Sequence, residues 1–334
     1  MHAVYLTAPR SLVTREVDEP KSQAEALVRL EQVGICGTDV KIYKGEIPVA
    51  YPRILGHELI GRVERSGAQD LVPAGTRVLI DPAVACGHCD LCRNDRTNLC
   101  QNGALMGRDL DGGLVELVAV GESQLHPIPE GMEPETTALL QVLGTCVHAE
   151  SRLLSQPGDS AVVVGLGVAG LLHLQLLRER GLRPLVGIAR SPDKRSLALR
   201  VGATGVAAPD EAEAIVRDAT GGGASLVVEA VGTVETLALA IRLAAPGATI
   251  LVFGTITGSQ AAQLPFYELY FKELTVLNPR AALPRDYDRA IQLAAGGQVQ
   301  LAPLFARSYP LENVNDAFGD VAGPNRSLKV ALTM

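Results

Sequence analysis

The sequence predicts an α/β chain of two domains, a mostly β lobe followed by a doubly wound parallel sheet. The first observation behind this is length: 334 residues is about twice a usual single domain. The second is that residues up to about Leu140 form short apolar runs punctuated by Gly and Pro, the mark of strands separated by long loops. The third is an alternation of strand, turn and helix from Ser160 onward, which right-handed crossovers assemble into a parallel sheet. With 47% hydrophobic and 20% charged residues, the chain can bury a core and lies far from disordered compositions.

In chain order, strands are expected at 26–33, 61–65, 77–81 and 114–120. A short buried strand at 161–164 leads into a helix at 168–180 with leucines at helical spacing, ended by Gly181 as a C-cap. A strand at 185–189, a helix at 192–201, a strand at 226–230, a helix at 234–244, the Pro246-Gly247 turn and a strand at 249–253 continue the pattern. After an apolar segment at 274–277, helices at 284–295 and 311–321 precede a last strand at 328–332.

Thirty Lys plus Arg against thirty-seven Asp plus Glu give a net charge of −7, which leaves no electrostatic footprint for nucleic acid. The most apolar stretch, 161–172, is broken by three glycines and is shorter than the roughly 20 residues of a membrane span. The N-terminal residues lack a basic stretch running into an apolar one, so no signal peptide and a cytoplasmic address are expected. In a reducing compartment, clustered cysteines point to metal rather than to disulfides.

Cys86, Cys89, Cys92 and Cys100 carry the strongest signal. Four thiolates at these spacings can close tetrahedrally around zinc, and such a site is structural because no coordination position stays open. The alternatives are buried thiols without metal or an iron–sulfur cluster. A second constellation is Cys36-Gly-Thr-Asp39 with Gly56-His57-Glu58. A thiolate and an imidazole on two loops, with a carboxylate beside the imidazole, supply three ligands of an open zinc site; the bland reading is a loop histidine and a small buried thiol. The third signal is Gly165-Leu-Gly167-Val-Ala-Gly170 at the predicted strand-to-helix junction. There Gly165 allows the turn, Gly167 lets backbone approach a pyrophosphate, and Gly170 permits close helix–strand packing.

Taken together and in this order, these motifs make the chain resemble the medium-chain, zinc-dependent alcohol and polyol dehydrogenases over essentially its whole length. The resemblance implies a GroES-like catalytic domain from residues 1–142 and 283–334 around a Rossmann domain at 143–282, and zinc-assisted hydride transfer between an alcohol and NAD(P). Carried over by position, Cys36 and His57 ligate the catalytic zinc, with Glu58 as ligand or close neighbour. Asp39 fixes the tautomer of His57, and Thr38 takes the alcohol proton. Val168, which opens the helix, and Val231 join the glycines as cofactor contacts. Tyr43, Glu46, Tyr51, Arg108 and Asn278-Pro-Arg280 stand at positions that line the substrate cleft.

Two departures from that pattern matter. Gln141 stands where many polyol-type relatives carry a glutamate that approaches zinc, and a neutral amide is a weaker ligand. Lys41 stands where relatives often place a histidine that ends the proton relay, so the proton is expected to leave through water. Cys146 is a rival ligand in sequence, read as a buried thiol. Cofactor choice rests on Ala189-Arg190-Ser191: where NAD-selective sites place an acid for the ribose hydroxyls, this chain has Ala189. Arg190, Ser191 and Lys194 or Arg195 supply 2′-phosphate contacts, favouring NADP over NAD. His2, His88, His126, His148 and His173 read as surface or satisfied core residues. The expected function is a two-zinc oxidoreductase acting on a secondary hydroxyl of a polyol, sugar or cyclitol, or on the matching ketone, as a homodimer or homotetramer. A primary-alcohol or aldehyde dehydrogenase and a silent nucleotide-binding redox sensor are the alternatives.

Overall fold

The computed structural model describes residues 1–256, 264–323 and 327–334. It falls into two compact units, one of residues 1–145, 281–295 and 301–334 and one of residues 146–280 and 296–300. The changeovers thus lie two or three residues from those expected, and 296–300 belongs to the second unit. Side chains explain both shifts. Gly144, in the helix Leu140–Glu150, lies so close to Tyr287 that a Cβ there would sit 2.3 Å from its ring, which commits the start of that helix to the first unit. Residues 296–300 are sewn to the helix Val168–Glu179: Gln175 and Gln300 exchange hydrogen bonds of 2.7 and 3.1 Å, and Arg178 Nη2 donates to Gln298 O at 2.9 Å.

The first unit is built on a seven-stranded sheet. Its order is Leu125–Pro127, Arg77–Ile80, Glu58–Arg65, Ala26–Ile35, Lys329–Thr333 and Phe305–Pro310, with Leu117–Val120 also pairing to Ala26–Ile35. Ala26–Ile35 begins with alternation, Ala26, Val28 and Leu30 inward, and ends in a wholly buried run from Gln32, as expected when a strand passes from the sheet's half-exposed end into its middle. The last strand, whose place the periodicity leaves open, runs antiparallel beside it with Val330 opposite Ile35 and Leu332 opposite Val33. Burial of side chains such as Leu30, Leu59, Ile80 and Phe318 stabilises the unit by about 1.5–3 kcal/mol each. The strand expected at 61–65 starts earlier, at Glu58, which moves Glu58 from a loop onto the sheet. Tyr43, expected in a cleft, packs its ring against Phe318 at 5.0 Å.

The second unit holds six parallel strands in the order Gly205–Ala207, Leu185–Ile188, Ala161–Val164, Ala224–Glu229, Ala244–Val252 and Thr275–Leu277. The strand order reverses at Ala161–Val164, and ligands of such sheets bind at the carboxyl end of that switch. All four residues of this strand are buried, because helices cover both faces of a parallel sheet. Gly247, in the left-handed region at φ 76°, turns within Ala244–Val252 without ending it. Cys146 is a buried thiol here; His173, fully buried, bonds Glu150 Oε1 through Nδ1 at 2.9 Å and meets Phe253 edge-on at 4.7 Å. Burial alone would lower this imidazole, but Cys146 and Glu150 outweigh it and raise it to about 10. Among the described residues, no helix is long and apolar enough to cross a membrane.

Candidate functional site

In the first unit, the strand Ala26–Ile35 delivers Cys36 to the N-cap of the short helix Gly37–Tyr43, with Thr38 in its first turn. The cap is closed by Asp39, whose Oδ2 accepts from the Cys36 N–H at 2.9 Å, while its Oδ1 lies 3.1 Å from His57 Nδ1. One buried carboxylate therefore fixes both the cysteine's backbone and the histidine's ring, leaving Nε2 as the nitrogen that Asp39 does not engage. Burial alone would raise Asp39, but His57's charge and hydrogen bond outweigh it and hold the carboxyl below its usual range. Burial likewise opposes the imidazolium of His57, and Asp39 and Cys36 overcome it, so that proton is held well above the usual range.

Ligand atoms of Cys36, His57 and Glu58 all lie within 4.8 Å of one another. Glu58 is fully buried, and its Oε1 has no hydrogen-bond partner. A buried carboxylate oxygen without a donor costs on the order of 1–3 kcal/mol or more unless something positive meets it. A thiolate, an imidazole and a carboxylate with an orphaned oxygen fit a zinc ion with an open coordination position. Gln141 is buried and its Nε2 donates to Tyr287 Oη at 3.4 Å, which engages the amide nitrogen and not the oxygen. Tyr287 also faces Asp81, which burial pushes up to about 6.

The four cysteines of the loop 86–100 converge as well. Sulfur–sulfur distances are 3.5 Å for Cys86 and Cys100, 3.5 Å for Cys89 and Cys92, and 3.9 Å for Cys89 and Cys100. A tetrahedron of 2.3 Å zinc–sulfur bonds has edges of about 3.8 Å, whereas a disulfide is about 2.05 Å. Backbone N–H groups of His88 and Cys89 bring Cys86 down to about 6, and burial with the neighbouring thiols pushes Cys92 up to about 12. Thiols so crowded cannot all ionise without a cation, and zinc removes that conflict.

In the second unit, Gly165 turns at φ 99° and faces Val231, whose Cγ2 a Cβ would meet at 2.4 Å. Gly170 touches the Gly165 carbonyl oxygen, 1.8 Å from where a Cβ would be. Gly167, the N-cap before Val168, has open space where its Cβ would stand, a cradle for a phosphate at a helix N-terminus. The four 2′-phosphate candidates divide. Arg195 Nη1 is turned back onto the carbonyls of Ala189 and Arg190 at 2.7 and 3.0 Å, and Ser191 Oγ accepts from Lys194 N as the helix cap. Arg190 is exposed.

Two site residues escaped the sequence reading. Glu229, buried at the end of Ala224–Glu229, holds the next loop through the N–H groups of Val231 and Gly232 at 2.8 and 2.9 Å. Lys329, only 4% exposed, donates to Glu58 Oε2 at 2.5 Å. Each carried the same signal, a lone charge in an otherwise apolar strand.

The chain matches the alcohol dehydrogenase GroES-like domain over residues 22–130 and the zinc-binding dehydrogenase family over residues 168–296. It is 29% identical to L-galactonate-5-dehydrogenase of Escherichia coli, covering 98% of this chain and 97% of that one. It is 31% identical to 2-dehydro-3-deoxy-L-galactonate 5-dehydrogenase of Pseudoalteromonas atlantica, covering 90% of each. Among solved structures, a Sinorhizobium meliloti protein assigned to the zinc-binding dehydrogenases and bound to NADP superposes with a TM-score of 0.92 at 31% identity, over 100% of this chain and 99% of that one. With both family domains present in the order of its motifs, the chain belongs to the zinc-dependent, medium-chain alcohol and polyol dehydrogenase family.

Proposed function

We propose that the chain is a zinc-dependent NAD(P) oxidoreductase that moves hydride between a secondary hydroxyl of a polyol or sugar acid and a nicotinamide. The observation that carries this is the convergence of Cys36, His57 and Glu58, with Asp39 behind His57, in a chain that also holds an open glycine cradle. A zinc ion held there supplies the Lewis acidity that lets a hydroxyl lose its proton near neutral pH. Thr38 takes that proton, and water beyond it carries it away. Asp39 keeps His57 Nδ1 engaged, and Gly165, Gly167, Val168 and Gly170 would seat the pyrophosphate of the dinucleotide. Names of relatives that act on galactonate and its derivative support a polar, multiply hydroxylated substrate. Near Gly107, which packs against Gly56 next to His57, a hollow of about 370 Å³ is lined by Pro48, Val49 and Ala50 together with Arg53, Arg108 and Asp109.

NADP is favoured over NAD: Ala189 brings no charge to repel a 2′-phosphate, Arg190 is free of the backbone bonds that engage Arg195, and the Sinorhizobium relative holds NADP. The test is metal analysis with cofactor titration on one sample. Two zincs per chain are expected, with NADPH at least about tenfold tighter than NADH, a gap that Arg190→Ala should largely close. One zinc per chain, or NADH preferred, would reverse the reading. The six free thiols accord with a reducing, cytoplasmic address.

The oligomer is proposed to be at least a homodimer joined through the second unit. Phe266, Tyr267, Tyr270 and Phe271, on the helix Phe266–Phe271, are each 69–82% exposed, and Val276 on the edge strand is 47% exposed. Apolar patches of this kind mark interaction surfaces. Tyr270→Asp together with Phe271→Asp should reduce the sedimenting mass to that of one chain; a wild-type monomer at micromolar concentration would refute the interface.

A further inference from the structure

Three adjacent strands place a second charge beside the candidate zinc site. Glu58 begins Glu58–Arg65, Gly34 stands opposite it on Ala26–Ile35, and Gly34 is in turn opposite Ala331 on Lys329–Thr333. A Cβ on Gly34 would sit 2.0 Å from Glu58 Oε2. The missing side chain on the middle strand opens the gap through which Glu58 reaches Lys329. There Lys329 Nζ donates to Glu58 Oε2 at 2.5 Å and to Ile35 O at 3.4 Å. The pair is 4% and 0% exposed, and the other carboxylate oxygen, Oε1, is the buried atom with no donor.

This geometry divides one carboxylate between two partners, an ammonium on Oε2 and an unfilled position on Oε1. Building on the zinc-dependent reading above, we propose that Lys329 is a positioning residue that restrains Glu58, so that the carboxylate helps hold zinc without closing the coordination position the substrate needs. A buried ammonium is a costly counterion, retained only where its charge is matched by a close carboxylate; Glu58 provides that contact. Without the Lys329 ammonium, Glu58 is untied and brings its full negative charge to the metal. Zinc should then be held more tightly and be less open to a hydroxyl.

The experiment uses the zinc-loaded enzyme and, in parallel, enzyme with cobalt(II) in place of zinc. Lys329→Gln is expected to slow release of the Cys36-site zinc to a chromophoric chelator by about tenfold, to weaken the visible cobalt bands as coordination rises, and to lower kcat more than KM. Lys329→Arg should restore all three. In a Glu58→Gln background, Lys329→Gln should change neither release nor spectrum, since its route of action is gone. Should Lys329→Gln not fold, the comparison of Glu58→Gln with Glu58→Gln/Lys329→Gln, in which neither charge is left unpaired, still decides: a spectral change between them overturns the proposal. So does an unchanged release rate in Lys329→Gln. Failure of the functional reading looks different, because the parent protein would then hold zinc only in its cysteine loop.

Discussion

Cys36→Ser is expected to remove one zinc per chain, leave the other, and lower kcat/KM by about a thousandfold. The reasoning runs through charge and softness. Cys36 stands at the N-cap of Gly37–Tyr43 beside His57, where its thiolate is the soft anionic ligand of the set. A serine hydroxyl stays neutral at any workable pH and binds zinc weakly. Metal polarisation contributes several kcal/mol to the transition state, and at 1.4 kcal/mol per tenfold its loss amounts to about three orders of magnitude. The hydrogen bond from the residue-36 N–H to Asp39 survives the change, so the fold should not suffer. Cys100→Ser separates the two sites: it should lose the zinc of the cysteine loop and melt earlier, while cobalt still enters the Cys36 site. Full turnover in Cys36→Ser, measured with zinc content on the same sample, would discard the zinc-dependent mechanism.

Most of the second unit was legible because its strands are buried on both faces and its glycines punctuate them. Ala161–Val164 falls where the apolar pattern places it, and Val234–Leu243 ends within one residue of its expected helix. The first unit was less so. Its opening hairpin, His2–Ala8 with Ser11–Glu16, is half exposed and carries little periodic signal, and the two-residue strands pair only because neighbours hold them. Spacing grouped the four cysteines of one loop, Cys86 to Cys100, and set His57 beside Glu58, while Cys36 joined that pair only through the family resemblance. Spacing could not pair residues 271 positions apart: Lys329 meets Glu58 only because the last strand returns beside Ala26–Ile35. Nor could it show that Arg195 turns inward to the carbonyls of its own loop, since a basic residue after a strand reads the same whether it faces a ligand or caps the turn.

The other large effect separates two glycines of one motif. Gly170→Ala places a Cβ 1.8 Å from the Gly165 carbonyl oxygen and 3.3 Å from Val163 Cγ1. A carbon and an oxygen cannot approach so closely, and both offending partners belong to the strand end and turn, so the backbone itself must move. Overpacking of this kind costs about 1–3 kcal/mol or more, which for a unit the size of the second one corresponds to a fall in Tm of roughly 2–4 °C per kcal/mol. The same displacement opens the turn that seats the pyrophosphate, so NADPH binding should weaken at least about tenfold. Gly167→Ala makes the opposite test, because its Cβ would meet nothing within 4 Å. The apo protein should melt at the wild-type temperature, while the methyl group occupies the space a phosphate needs and NADPH affinity falls all the same. Thermal melts with and without NADPH read both variants at once, since bound ligand raises Tm by mass action. An apo Tm lowered in Gly170→Ala alone, with the NADPH-induced rise lost in both, is the expected pattern. A Gly167→Ala protein that keeps the full NADPH-induced rise would place the nucleotide away from this turn.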